Sequence, residues 1–417
     1  MTPYLEKSAL YPAQIIGLPH PDLGMVVVIP AYDEPALLKS LEAISNCQLP
    51  KCAVEVIVVI NDSEKDTLAL KQRNQKSYEA ACHWGRQHSI TTLKFHVLYH
   101  TNLPARHAGV GLARKIGMDE GIYRLLQVNR PSGLLCCFDA DSLCDDNYLV
   151  AIEKAFLQQP KLQAVSIYFE HPLEGTAFPQ EVYQAITEYE LHLRYYIDAQ
   201  RWAGFPFAQQ TIGSSMAVRA DAYQKQGGMN RRKAGEDFYF LQKFIELGHF
   251  EEIKNTRVIP SPRLSDRVPF GTGKAVADLL KGQKPLLTYA PNAFQDLKVF
   301  FTDVPRLFRA KANRQKQLQD HWPESIREFL DLVNYENKLA EIRRNTANSQ
   351  AFNQRFFRWF NAFLLMKFVH FARDNYYDNI AITDAARWLL KKGFKKRGLI
   401  DADEKELLLK FRQLDRQ

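Results

Sequence analysis

No run in this chain is apolar for long enough to cross a bilayer. The best candidate, FFRWFNAFLLMKFVHF from Phe356 to Phe371, is short and interrupted by Arg358, Lys367 and His370, whereas a spanning helix needs roughly 20 mostly apolar residues. Core packing is the expected use of this stretch, with peripheral membrane contact and a partner surface as the other readings. The opening residues MTPYLEKSALYP lack the basic stretch and apolar segment of a secretory leader. Cysteine is scarce, at positions 47, 52, 82, 136, 137 and 144 only, and none follows a zinc-ligand spacing. A reducing compartment is the simpler expectation: the cytoplasm, or the inner face of its membrane. Internal repeats of fixed period are also missing.

What is present is ordinary for a folded protein, at 46% hydrophobic and 24% charged residues. The length of 417 residues is enough for one large domain and a second unit. A formal charge of +8 suits an anionic membrane or a diphosphate, and by itself points to no nucleic-acid partner.

The front half alternates two periodicities. Met25–Ile29, Val54–Ile60, Leu93–Tyr99, Leu134–Phe138 and Val165–Phe169 are compact apolar runs, as expected of parallel strands buried on both faces. Between them, Ala36–Ile44 and Val110–Leu126 have helical spacing. The pattern predicts βαβ units and an α/β fold with a mainly parallel sheet. After about residue 275 the strand-like runs fade, and residues 283–417 are rich in helical patterns, aromatics, Lys and Arg. The expected division is therefore 1–275 and 276–417. The basic run Lys391–Arg397 is expected to be a solvated surface, with anionic membrane or partner contact next.

Ligands of such sheets bind at the carboxyl ends of the strands, and polar residues close three of the runs. Glu34 follows the first, Asp62 closes the second, and Asp139-Ala140-Asp141 follows the fourth. Two carboxylates one residue apart can share a cation, and Mg²⁺ or Mn²⁺ would keep positions for substrate phosphates. Glu34 and Asp62 could accept hydrogen bonds from a base or ribose, or simply make a turn or cap. Asp66 is better suited to orienting its loop. Residues 104–117 combine Gly109, Gly111 and Gly117 with Arg114 and Lys115, a glycine-eased approach beside phosphate-neutralising cations. They lack the Walker A order GxxxxGK followed by Ser or Thr. Gly213-Ser214-Ser215 permits close backbone contact or a plain turn. Glu236 and Asp237 open a helical pattern where negative charge is stabilised, as caps or as a proton acceptor for a hydroxyl. Residues 261–274, with Arg263 and Arg267, are dense in cations, hydroxyls and glycines and could close over a diphosphate.

Taken in order, PAYDE at 30–34, VVIND ending at Asp62, GVGLARKIG from Gly109, FDAD ending at Asp141, GSSMAVR from Gly213 and GEDF ending at Phe238 resemble the family 2 glycosyltransferases of the GT-A fold. The resemblance covers roughly residues 24–275. It implies a Rossmann-like nucleotide-sugar-binding domain with a C-terminal helical region. It also implies a metal-dependent hexosyl transfer to an acceptor hydroxyl, probed by Glu34 and Asp62 at the nucleotide and by Asp139 and Asp141 at the donor and its Mn²⁺ or Mg²⁺. Asp237 is implied as catalytic base, with Arg114, Glu236, Arg263 and Arg267 as further substrate contacts. The family's Asp-Asp-Gly-Ser loop is here Asn61-Asp62-Ser63-Glu64, its ARN is Ala113-Arg114-Lys115, and the Gln-x-x-Arg-Trp element of processive synthases is missing. Arg263 and Arg267 are the candidates to replace that element's phosphate contacts. The expected partners are a nucleotide-sugar and a hydroxyl-bearing saccharide, lipid or small molecule. Alternatives are a retaining GT-A enzyme, a nucleotidyltransferase, and a non-catalytic nucleotide-sugar-binding protein.

Overall fold

The computed structural model describes residues 2–233, 235–265, 271–282, 285–395 and 401–417. The chain forms two compact units. The first takes Met1–Phe178, Gln210–Ala277 and Arg416, and the second takes Pro179–Gln209, Asp278–Asp415 and Gln417.

The first unit is built on an eight-stranded sheet in the order β3-β2-β1-β4-β7-β6-β8-β5. Its strands are β1 (Leu23–Ala31), β2 (Ala53–Ser63), β3 (Leu93–Leu103), β4 (Leu134–Cys137), β5 (Leu143–Cys144), β6 (Ala164–Phe169), β7 (Met216–Arg219) and β8 (Phe250–Ile259). β3, β2, β1 and β4 are parallel neighbours, as are β6 and β8. β7 runs antiparallel between β4 and β6, and β5 antiparallel to β8. This is the expected α/β class: a mostly parallel, mixed sheet flanked by helices, with an extensive C-terminal helical region.

The reason β1 and β2 lie inside is their composition. Val26, Val27, Val28 and Ile29 pair with Glu55, Val56, Ile57 and Val58, and β-branched side chains suit a pleated surface covered on both faces. The helix Val110–Gln127 covers them at close range because of two glycines. A Cβ on Gly117 would stand 2.4 Å from a Val28 methyl, and one on Gly121 2.8 Å from Leu135. Gly117 therefore serves helix–sheet packing. β8 was not foreseen, and its sequence FEEIKNTRVI explains why: only Ile253, Thr256 and Val258 are buried, so no apolar run advertises it.

Among its described residues, the second unit is helical apart from β9 (Leu287–Thr288) paired with β10 (Ile380–Ala381). The 356–371 stretch is not one helix. It breaks between Ser349–Trp359 and Ala362–Asn375, where Asn361 caps the second by accepting from the backbone N–H of Phe363 and Leu364, both at 3.2 Å. Phe356, Phe360, Leu365, Phe368 and Val369 are fully buried, and Phe300 packs edge-on to Phe356. Among the described residues, no helix is long and apolar enough to cross a membrane. Helix Gln180–Ala203 is joined to helix Glu404–Asp415 by buried charge: Glu190 accepts from Arg194 at 2.9 Å and from Arg412 at 2.8 and 2.7 Å. Lys391 and Lys392 are exposed at the end of helix Ile382–Lys392, and Lys396 and Arg397 lie outside the described residues.

Candidate functional site

The carboxyl ends of β1, β2 and β4 open into a cleft of about 390 Å³ whose wall includes Tyr32, Glu34, Asn61, Asp139, Asp141 and Arg263. A larger cleft, about 830 Å³, lies at the other ends of the strands, where Gly24, Leu134 and Arg219 meet. There Arg219 is already committed to the carbonyls of Leu162 and Phe156, both at 2.8 Å. The smaller cleft has the better claim, because it collects charged groups where α/β sheets bind ligands.

Local geometry brings the two aspartates to the cleft. Phe138 still donates to the Val28 carbonyl at 3.0 Å, and then a turn closes with Ser142 N–H on the Asp139 carbonyl at 3.0 Å. Ser40 holds that turn from outside, its hydroxyl donating to the Ser142 carbonyl at 2.8 Å. Each aspartate meets a different arginine. Arg114, buried on helix Val110–Gln127, donates to Asp139 Oδ1 at 2.5 Å and, through its other terminal nitrogen, to Glu236. Arg263, just beyond β8, donates from Nε to Asp141 Oδ2 at 2.8 Å and from Nη2 to Glu34 Oε2 at 2.5 Å. Gly213 is required here, since a Cβ would fall 2.5 Å from the Arg114 guanidinium.

These contacts set the proton affinities. Burial would pull Arg114 down, but Asp139 and then Asp237 hold it above its ordinary value. Burial pushes the Asp141 carboxyl up to about 6, against the pull of Arg263 and with help from Asp139 and Glu34. Asp237 is also raised by burial, opposed by Arg114. Its Oδ1 accepts from the backbone N–H of Phe238 at 2.7 Å, at the start of helix Glu236–Ile245.

Glu34, Asp139, Asp141 and Arg263 share the cleft wall, and Arg114 links that wall to Glu236 and Asp237. Asp62 is placed differently. It is fully buried, accepting from the Tyr99 hydroxyl at 2.8 Å and from Asn102 N–H at 2.7 Å. The cleft wall beside it is Asn61 and Ser63. Asp66 orients its loop, accepting from Ser63 N–H at 2.7 Å and the Tyr32 hydroxyl at 3.0 Å. Gly109 and Gly111 make room for protein: a Cβ on Gly111 would meet the Arg232 carbonyl at 2.3 Å, and one on Gly109 would crowd Lys233. Arg267 lies outside the described residues.

Asn61 was not among the expected site residues, yet its amide Nδ2 is buried beside the cleft with no hydrogen-bond partner among the described residues. An orphaned buried donor is expensive unless a ligand or water satisfies it. Its place at the end of a buried strand was the available signal. Lys65 and Lys233 also line the cleft.

Among the described residues, no group of three or more His, Cys, Asp or Glu side chains converges on a metal-sized site. Asp139 and Asp141 nevertheless fit a hard divalent cation of the kind held by one or two carboxylates plus substrate phosphates and water. They offer oxygen donors on an open wall and no closed cage.

The sequence matches no protein-family model and no curated protein. Among solved structures, the chain is similar to S. aureus TarS residues 1–349 in complex with UDP-GlcNAc, at 13% identity over 80% of this chain and 90% of that one, with a TM-score of 0.40. It is similar also to the mannosyltransferase PcManGT from Pyrobaculum calidifontis in complex with GDP-Man and Mn²⁺, at 15% identity over 98% and 90%, TM-score 0.35. Likenesses this slight carry nothing about donor, acceptor or mechanism. The fold rests on the chain's own sheet.

Proposed function

We propose that this protein is a glycosyltransferase that moves a sugar from a nucleotide-sugar to an acceptor hydroxyl, with inversion at the anomeric carbon. The observation that carries the reading is the convergence, at the carboxyl ends of parallel strands, of Glu34, Asp139, Asp141 and Arg263 on one cleft, with Arg114 tying Asp139 to the segment that bears Asp237. The motif order of the family 2 glycosyltransferases supports it.

In this reading the nucleotide lies along the ends of β1 and β2, and its diphosphate faces Asp139, Asp141 and Arg263. A bound Mn²⁺ or Mg²⁺ would neutralise charge on that diphosphate. Asp237 takes the proton of the acceptor hydroxyl, whose oxygen forms a bond to the anomeric carbon as the bond to the diphosphate oxygen breaks on the opposite face. Burial favours this role, since a carboxylate of raised proton affinity is a stronger base than one in water. Arg114 keeps Asp139 and Glu236 in register with it. Cations beside the departing diphosphate stabilise charge that grows only as transfer proceeds.

The test is a panel of nucleotide-sugars with Mn²⁺ and Mg²⁺, read by mass spectrometry for donor loss and for transferred product, with an acceptor-free control for hydrolysis. Product NMR then reports the anomeric configuration. Release of pyrophosphate from a nucleoside triphosphate, with no sugar transfer, would overturn the reading in favour of a nucleotidyltransferase.

A further inference from the structure

We propose that Cys47 and Cys144 are a thiol pair that a hydroperoxide converts to a disulfide, and that this bond braces the turn bearing Asp139 and Asp141. The inference stands on the geometry of the pair and does not depend on which ligand the cleft takes.

Cys47 lies just beyond the helix Leu37–Ser45, and Cys144 ends the short strand β5 at the edge of the sheet. Both thiols are free. Their sulfurs are 3.6 Å apart although 97 positions separate them in the chain. The backbone around them is already joined. Gln48 N–H donates to the Asp146 carbonyl at 2.7 Å, and the Ser40 hydroxyl, on the helix before Cys47, donates to the Ser142 carbonyl at 2.8 Å. Helix and strand are therefore held in place, and closing the contact to the roughly 2 Å of a disulfide asks only for side-chain rotation.

The surroundings choose the attacking sulfur. Donation from the Cys144 thiol holds Cys47 below the ordinary thiol value, against burial and with help from the backbone N–H of Leu149. Leu149 is in the first turn of the helix Tyr148–Gln158, and helix N-termini favour thiolates. Burial instead pushes the Cys52 and Cys137 thiols up to about 12, which leaves them poor nucleophiles. Cys144 is only half-buried, so a small oxidant reaches the pair from its side. The Cys47 thiolate attacks one oxygen of hydrogen peroxide, the O–O bond breaks, and the departing hydroxide takes up a proton. The Cys144 sulfur then attacks the resulting sulfenic acid on Cys47 and a second water leaves. Two thiols and one peroxide become one disulfide and two waters. The new bond adds to the Ser40–Ser142 contact a second tie on the outer side of the aspartate turn, which then opens less often.

The experiment treats the unaltered full chain with hydrogen peroxide, alkylates the remaining thiols, and maps peptides by mass spectrometry without reduction. A peptide linking Cys47 to Cys144, separated by dithiothreitol, is the expected product. The oxidised protein should melt about 5–10 °C higher, and amide hydrogen exchange across residues 139–146 should slow several-fold. In Cys144→Ser the reaction should stop at the sulfenic acid of Cys47, trapped there by dimedone. Cys47 and Cys144 both still alkylated after peroxide treatment, or cross-linked to other cysteines, overturns the pair. A linked protein whose exchange at 139–146 is unchanged overturns the brace. Dimedone on any residue other than Cys47 in a folded Cys144→Ser overturns the choice of attacking sulfur; should that variant fail to fold, the peptide map and exchange of the unaltered protein still decide the proposal.

Discussion

Replacing Arg114 by Met tests the skeleton of the site more directly than any change on the cleft wall. The substitution keeps much of the side chain's length and removes the charge that two carboxylates share. Glu236 would be left at 3% side-chain exposure with no cation beside it among the described residues, while Asp139, at 36%, can recover part of its solvation from water. Breaking a buried pair by removing one partner costs about 3–5 kcal/mol, and the exposure of Asp139 places the expected loss near the lower end, at roughly 3 kcal/mol. At about 2–4 °C per kcal/mol for a unit of this size, the melting temperature should fall by roughly 6–12 °C. The cost is that of an uncompensated charge, so Arg114→Met with Glu236→Gln should recover most of it. Differential scanning fluorimetry and urea titration of the two single variants and the double variant supply the cycle. A loss below about 1 kcal/mol in Arg114→Met, or a double variant no more stable than Arg114→Met, would refute the claim that this arginine balances the site.

Asp237→Asn should lower transfer by about 10²–10⁴-fold while leaving calorimetric affinity for the nucleotide nearly unchanged; equal turnover would remove Asp237 from the base role. Gly117→Ala drives a methyl into Val28 and should cost about 1–3 kcal/mol by urea titration, with partial recovery when Val28 is shortened to Ala. In the second unit, burial, reinforced by Asp415 and opposed by Arg201, pushes Asp198 up to about 7. A carboxyl raised in the folded state adds stability that is full below its unfolded value near 3.8 and is lost as pH rises through 7. Asp198→Asn should therefore flatten the stability profile between pH 4 and pH 7 and melt higher than the unaltered protein at pH 8. An unchanged slope would refute this.

The strands that could be read directly were those whose two faces are both covered. The apolar runs at the centres of β1, β2 and β4 are rich in Val, Ile, Leu and Cys because nearly every position along them is buried, and each run gives way to polar residues at its carboxyl end. β8 was hidden by the opposite condition. It is half-exposed, and its Glu, Lys and Asn look like loop until pairing with β6 and β5 supplies the partners. The membership of Pro179–Gln209 in the second unit was equally silent, since a long amphipathic helix does not state which core it will join.

Candidate residues followed the same division. Glu34, Asp139 and Asp141 could be picked out because each follows a buried strand, a purely local relation. The sequence alone determined that carboxylates would cluster at strand ends, because alternating apolar runs and helices allow little else. Only the tertiary structure decided which cation meets which carboxylate. Arg114 reaches Glu236 across 122 positions, and Arg263 reaches Glu34 across 229. Tertiary structure also turned Asp62 inward to Tyr99, left the Asn61 amide beside the cleft, and spent the glycines of helix Val110–Gln127 on packing. Such pairings depend on distances that chain folding creates, and no local spacing of residue types encodes them.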